Sequence, residues 1–223
     1  MRFGGVDDSA HTAHIRAKLQ VIYDQVAETE PIKAGQARLA AAREKVARVR
    51  RAQGRLNSRL AELRSELQSA QDSVTATIVG RFADAAVSQA ELVKLAKPLD
   101  AVLTEERLLL GAIDRIALSD TWTFQAAAQI AEANLNETFA AELDQEAAAR
   151  LKQTHELAQA VLEHEGTVTL PGGGATISGA LQSAARGLRE HAHGCRGAAA
   201  ELLAKQATLT DNLALSTHRW SQR

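Results

Sequence analysis

Residues 39–77 read LAAAREKVARVRRAQGRLNSRLAELRSELQSAQDSVTAT. Apolar or small residues recur along this stretch in steps of three and four, with charged and polar residues between them. The recurring positions are Leu39, Ala42, Val46, Val49, Gln53, Leu56, Leu60, Leu63, Leu67, Ala70, Val74 and Thr77. This heptad pattern is typical of a helix that packs along a coiled-coil seam.

The composition of the whole chain favours the same class of fold. Aromatic residues make up 3% of the 223 residues, and there are 3 prolines. Ala, Leu, Glu, Gln and Arg, which are strong helix formers, are abundant. We therefore predict an all-α fold, namely an elongated antiparallel helical bundle or coiled coil with one long helix. We expect it to form a single domain over residues 1–223.

Prolines, glycines and capping residues divide the chain into predicted helices. They cover approximately residues 9–28, 31–97, 99–118, 121–165 and 178–221. In the second of them the heptad register slips by one residue near Gly80, which predicts a local kink or a change of partner there. The fifth repeats the strict seam from Leu181 to Trp220, whereas apolar residues in the fourth step mostly by four.

The segment 167–177 connects the last two predicted helices. Apolar residues alternate there with Thr and Ser on both sides of a Pro-Gly turn, which predicts a small β-hairpin. A two-stranded hairpin alone is marginally stable in water, so its tip is expected to contact a helix end, a second copy or a partner. The tip residues are Val168, Leu170, Pro171 and Ile177.

Charge is strongly segregated although the formal net charge is −1. Residues 33–64 contain ten basic and two acidic residues, whereas residues 132–165 contain eight acidic and two basic ones. Cations that flank the seam of the second helix would repel one another in a parallel, in-register homodimer. They favour an acidic partner instead, and the fourth helix is the nearest acidic helix.

A second interpretation of the basic residues is that they bind a polyanion, either an anionic membrane surface or a nucleic-acid backbone. The residues proposed for polyanion or partner contact are Arg43, Lys45, Arg48, Arg50, Arg51 and Arg55. No aromatic residue lies between them, which argues against base stacking.

One short segment contains metal-ligand residue types. His191 and Cys195 are four residues apart and share one face of the fifth helix, whereas His193 points away. Two ligands make half of a zinc site, and no second pair has matching spacing. Because Cys195 also falls on the apolar seam, a buried core thiol is the preferred interpretation. The sequence predicts no metal, no cofactor and no catalytic residue, since neither a nucleophile elbow nor a phosphate loop is present.

These features predict a non-enzymatic structural, assembly or adaptor protein that forms homo-oligomers or binds partner helices, with no small-molecule substrate. Polyanion binding is the alternative. A lesser alternative is a membrane-active toxin component, because long helices joined by a β-tongue resemble the layout of helical pore formers. The N-terminus lacks a secretory signal core, and no apolar run approaches ~20 residues, so a soluble cytoplasmic protein is expected.

Overall fold

The computed structural model describes residues 8–84, 88–165 and 174–221. Its elements are helices α1 (Asp8–Ala27), α2 (Glu30–Asp84) and α3 (Gln89–Arg115), a π-helical turn (Ile116–Asp120), and helices α4 (Thr121–Glu165) and α5 (Gly174–Ser221). The predicted all-α fold is confirmed, and the described residues contain no strand. None of the helices, over its described residues, combines the length and the apolarity needed to cross a membrane.

The predicted β-hairpin is wrong where the structure describes it. Residues 174–177 form the first turn of α5, and residues 166–173 lie outside the described residues. Ile177 is 5% exposed and belongs to the same core as Leu181 and Ala185. Burial along a helical seam therefore outweighs the local alternation with Thr and Ser. The membrane-active alternative stays a prediction, because residues 166–173 of the proposed tongue lie outside the described residues.

The boundary between the second and third helices lies earlier in the chain than we predicted from the position of Pro98. α2 runs without interruption through Gly80 and ends at Asp84 rather than near residue 97, and Pro98 lies inside α3. Ser88 caps α3: its hydroxyl accepts a hydrogen bond from the backbone N of Glu91 at 3.4 Å. The Glu91 carboxylate accepts one from the backbone N of Ser88 at 3.1 Å. This reciprocal capping box marks the start of α3 in the sequence, but the prediction gave more weight to Pro98.

Replacing Ser88 with alanine should lower the free energy of unfolding by about 1 kcal/mol, measured by urea denaturation. The hydrogen bonds that Glu91 receives from the Ser88 backbone and side chain hold the pKa of its carboxyl below the ordinary value. A carboxyl with a lowered folded pKa stabilises the protein above its unfolded pKa, and this contribution disappears as the pH falls through the folded pKa. The difference between Ser88→Ala and wild type should therefore shrink in acid.

Ser69→Ala is the matched control for the cap, because Ser69 is an exposed serine inside α2. It should change the free energy of unfolding by no more than about 0.5 kcal/mol. Equal losses in the two variants would show that the hydroxyl at Ser88 has no capping role.

The chain divides into two compact units. Unit 1 contains Met1–Arg43 and Gln125–Leu202, and unit 2 contains Glu44–Phe124 and Leu203–Arg223. A single domain over residues 1–223 stays a prediction.

Unit 1 contains a continuous hydrophobic core between its helices. The buried members of this core are Ile22, Val26, Ile32, Ala140, Leu143, Ala147, Ile177, Leu181 and Ala185. They come from four helices: α1, α4 and α5 each contribute an apolar stripe, and α2 contributes Ile32. α2 approaches α4 closely at Gly35, where an added Cβ would lie 2.8 Å from Cδ1 of Leu135.

Small residues spaced seven apart line the contact between α4 and α5. On α4 they are Ala126, Ala133, Ala140 and Ala147, and on α5 they are Ser178, Ala185, Ala192 and Ala199. Every one of them is at most 3% exposed. The hydroxyl of Ser178 donates a hydrogen bond to the backbone carbonyl of Ala147 at 3.1 Å, so the two backbones approach closely here. Larger side chains at these positions would hold the helices apart.

Ion pairs align α4 and α5 in opposite directions. Asp144 pairs with Arg189, and Glu137 pairs with Arg196. The hydrogen bond that Arg196 donates to Glu137 raises the pKa of Arg196 above its ordinary value. Acidic residues of α4 thus pair with arginines of α5, and Glu132 of α4 also pairs with Arg43 of α2, the partner helix that the sequence predicted.

Unit 2 contains α3, most of α2 and the end of α5 from Leu203, and few of its described side chains are buried. Leu60 and Leu63 of α2 are 8% and 1% exposed, and α3 has no buried residue. Arg59 contacts Glu105 at 3.0 Å and Arg64 contacts Glu106 at 3.2 Å. A longer contact of 3.9 Å joins Arg81 and Glu91, so the two helices run antiparallel. The acidic partner of this part of α2 is therefore α3 rather than the predicted fourth helix.

Candidate functional site

The basic residues proposed for polyanion or partner contact are all exposed, but several are engaged in ion pairs. In unit 1, Nη2 of Arg43 lies 3.1 Å from Oε2 of Glu132. In unit 2, Arg48 and Arg51 contact Oε1 of Glu44 at 3.4 and 2.6 Å. The hydrogen bond from Arg51 is the main reason why the pKa of Glu44 is lowered. These arginines are partly neutralised within the chain.

The remaining three cations of this group are more accessible to an external polyanion or partner. Lys45, Arg50 and Arg55 are exposed and form no ion pair within the described parts of the chain. A separation of five residues rotates each side chain by roughly 140° from the previous one. The three cations therefore wind around α2 and do not form a single flat face.

The predicted tip residues do not form an exposed contact surface where the structure describes them. Ile177 is buried in the core of unit 1. Val168, Leu170 and Pro171 lie outside the described residues.

α3 carries many apolar side chains, and none of them is buried. Two heptad seams overlap on it. The first consists of Leu95, Leu99, Val102, Glu106, Leu109 and Ile113 and continues to Ile116 in the π-helical turn, and all of these residues are half-buried. The second consists of Leu92, Ala96, Leu99, Leu103, Glu106 and Leu110. Leu103 and Leu110 of the second seam are exposed, at 41% and 37%, and Val93 and Leu108 are exposed on a further face, at 64% and 70%. These side chains leave apolar faces of α3 open to a further helix.

α2 also carries exposed apolar side chains where it pairs with the first half of α3. Val79 and Phe82 are 64% and 53% exposed. No described residue from Arg64 to Phe124 is buried. We refer to residues 56–84 and 88–115 together as the α2–α3 hairpin.

A different type of site lies between α4 and α5 in unit 1. Glu132, His191 and Cys195 bring a carboxylate oxygen, a ring nitrogen and a thiol sulfur within 4.8 Å of one another. Nε2 of His191 lies 3.5 Å from Oε1 of Glu132. Cys195 is buried, as predicted, and this burial raises the pKa of its thiol, with a smaller contribution from the carboxylate of Glu132.

Sequence reasoning missed Glu132 as a neighbour of the His191–Cys195 pair. It lies 59 residues before His191, on a different helix. The alanine spacing of α4 was the available signal, because Glu132 immediately precedes Ala133, and Ala133 packs with Ala192 and Cys195.

Comparison of the chain with protein-family models, with curated proteins and with solved structures gives no match.

Proposed function

We propose that this chain is a non-enzymatic helical assembly or adaptor protein that self-associates through the α2–α3 hairpin. The observation that carries the proposal is the lack of any buried side chain in α3, despite its two apolar seams. Helices with such seams ordinarily bury them against neighbouring elements. A second copy of the hairpin would supply two more helices and complete a four-helix bundle.

The charges of α3 support a second copy of the chain as the occupant of this surface. Asp100 and Arg107 are exposed, and neither joins an ion pair within the described ranges. In an antiparallel pairing of two α3 helices centred near residues 103–104, Asp100 of each copy would face Arg107 of the other. The same register brings Lys94 near Asp114. A twofold contact makes each pair occur twice, which favours self-complementary association.

Replacing Leu103 with glutamate should weaken self-association by more than about tenfold, because Leu103 is 41% exposed on the second seam and a charge there would enter the apolar contact. Light scattering coupled to size-exclusion chromatography over a range of concentrations measures the effect. Leu157→Glu is the matched control, since Leu157 is 60% exposed on α4 in unit 1. A wild-type chain that stays monomeric at every concentration, or a control that dissociates as readily as Leu103→Glu, would contradict the proposal.

Polyanion binding is a second candidate function, supported by the exposure of Lys45, Arg50 and Arg55 without ion-pair partners among the described residues. Cations that wind around a helix suit a flexible polyanion, such as a single-stranded nucleic-acid backbone, better than a flat membrane surface. Reversing the three charges to glutamate should abolish salt-dependent binding to single-stranded nucleic acid while helicity is retained. Binding that survives the reversal would rule out this segment as the binding surface.

A further inference from the structure

Two helices of unit 1 bring together three side chains with the donor atoms of a transition-metal site. His191 and Cys195 are separated by one helical turn of α5 and share a face. Glu132 approaches them from α4. Ala133 and Ala192, next to these residues in sequence, are fully buried and pack with Cys195, so the ligands are mounted on closely packed helices. Side chains held on packed helices keep a more constant geometry than side chains on loops.

We infer that Glu132, His191 and Cys195 bind a divalent transition-metal ion of the zinc class. The site lies in unit 1 and goes beyond the proposed self-association, which uses residues of the α2–α3 hairpin. The three donor atoms come from two helices that lie far apart in the chain.

The separations of the donor atoms suit a tetrahedral ion. Zinc–nitrogen and zinc–oxygen bonds of about 2.0–2.1 Å at tetrahedral angles place a nitrogen and an oxygen ligand about 3.3 Å apart, and a sulfur and a nitrogen ligand about 3.6 Å apart. The observed distance between Nε2 of His191 and Oε1 of Glu132 is 3.5 Å. The widest separation among the three donors does not exceed 4.8 Å. Side-chain movements of about 1 Å therefore bring the three donor atoms to the separations found in a tetrahedral zinc site.

The donor set selects the class of ion. Thiolate and imidazole favour zinc and similar transition metals, whereas calcium and magnesium prefer oxygen ligands alone. On binding, the thiol of Cys195 loses its proton to solvent, and the thiolate and the carboxylate together balance the two charges of the ion. Three protein ligands leave a fourth position for water. The side chain of His191 is 61% exposed, which provides a path for the ion from solvent.

Arg43 is the charged group that faces this cluster from α2. Its Nη2 contacts Oε2 of Glu132, while Oε1 of the same carboxylate faces His191. A hydrogen bond to the outer oxygen orients the inner oxygen toward the ion, as outer-shell partners of metal ligands commonly do. Because the side chain of Arg43 is 61% exposed, solvent screens its repulsion of the cation.

The test uses the full-length chain, reduced with a phosphine, and cobalt(II) as a spectroscopic probe. Wild type should bind one cobalt ion per chain, with the near-ultraviolet charge-transfer band of a thiolate–cobalt bond and the visible bands of tetrahedral coordination. Cys195→Ser should lose the charge-transfer band. His191→Ala and Glu132→Gln should lower the affinity by more than about tenfold, because loss of even an outer-shell partner costs 10–100-fold. Zinc should displace cobalt and should raise the thermal midpoint of wild type but not of Cys195→Ser.

His193→Ala is the matched control, because His193 is exposed on α5 close to the cluster in sequence but on another face. Its cobalt spectrum and affinity should equal those of wild type. Circular dichroism checks that each variant remains helical. If Cys195→Ser does not fold, His191→Ala still tests the site, because His191 is exposed and its replacement leaves the core intact. The inference is overturned if wild type shows no charge-transfer band, or if His193→Ala weakens binding as much as His191→Ala.

Discussion

Replacing Leu181 with alanine should lower the free energy of unfolding by about 2–5 kcal/mol. Leu181 is 0% exposed and lies in the core of unit 1 together with Leu143 and Ile177. Removing its branched end leaves a cavity between close-packed helices, and the loss combines the transfer free energy with the cost of that cavity. Thermal and urea denaturation followed by circular dichroism measure the change.

Leu157→Ala provides the comparison for this truncation. Leu157 is 60% exposed on α4, so the same chemical change there should alter stability by no more than about 0.5 kcal/mol. Similar losses in the two variants would mean that Leu181 does not occupy a packed core.

Replacing Ala140 with leucine should destabilise unit 1 by about 1–3 kcal/mol, although leucine forms helices almost as well as alanine. Ala140 is 0% exposed and is one of the alanines, seven residues apart, that allow α4 to approach α5 closely. A leucine there must force the helices apart or adopt a strained rotamer. Denaturation together with a crystal structure of the variant would separate these two responses.

The neighbouring residue supplies a control on the same helix. Ala141 is exposed, so Ala141→Leu adds the same volume to the surface and should be nearly neutral. If both leucine variants were equally stable, the close packing of α4 against α5 would be refuted.

The heptad seams were the part of the fold that sequence predicted best. Leu39, Leu60 and Leu63 of the quoted stretch are buried, and Ala192 and Cys195 are buried on the seam of α5. Periodicity over many turns is a strong signal because each wrongly placed residue would expose an apolar side chain or bury a polar one. Short signals were weaker. The Thr-rich alternation that ends at Ile177 predicted a strand, but Ile177 lies in the helical core. The isolated Pro98 predicted a helix boundary, but it lies inside α3.

The pairing of helices was only partly predictable. Positions that flank a seam indicate that Arg59 and Arg64 choose an acidic partner, but they do not identify which acidic helix lies alongside. The structure pairs these residues with α3, and it pairs the acidic α4 with Arg189 and Arg196 of α5 and, through Glu132, with Arg43 of α2. Several acidic helices were available, and exposed ion pairs contribute too little free energy for charge alone to decide.

Two of the three residues of the candidate metal site could be recognised from the sequence. His191 and Cys195 are close in the chain, so their shared helical face could be inferred. Glu132 comes from another helix, and only the packing of α4 on α5 shows that it completes the cluster. Contacts between residues distant in sequence depend on tertiary packing, which a heptad pattern does not specify by itself.

Exchange of one charge pair on α3 tests the proposed self-association most directly. The dissociation constant is measured by sedimentation velocity for wild type, Asp100→Arg, Arg107→Asp and the double variant. In the antiparallel register each single change places like charges opposite each other twice per dimer, which should weaken association by about tenfold. The double variant restores opposite charges and should recover the wild-type dissociation constant to within about threefold. A double variant as weak as the two single changes combined, or a wild-type chain that does not associate, would contradict the account.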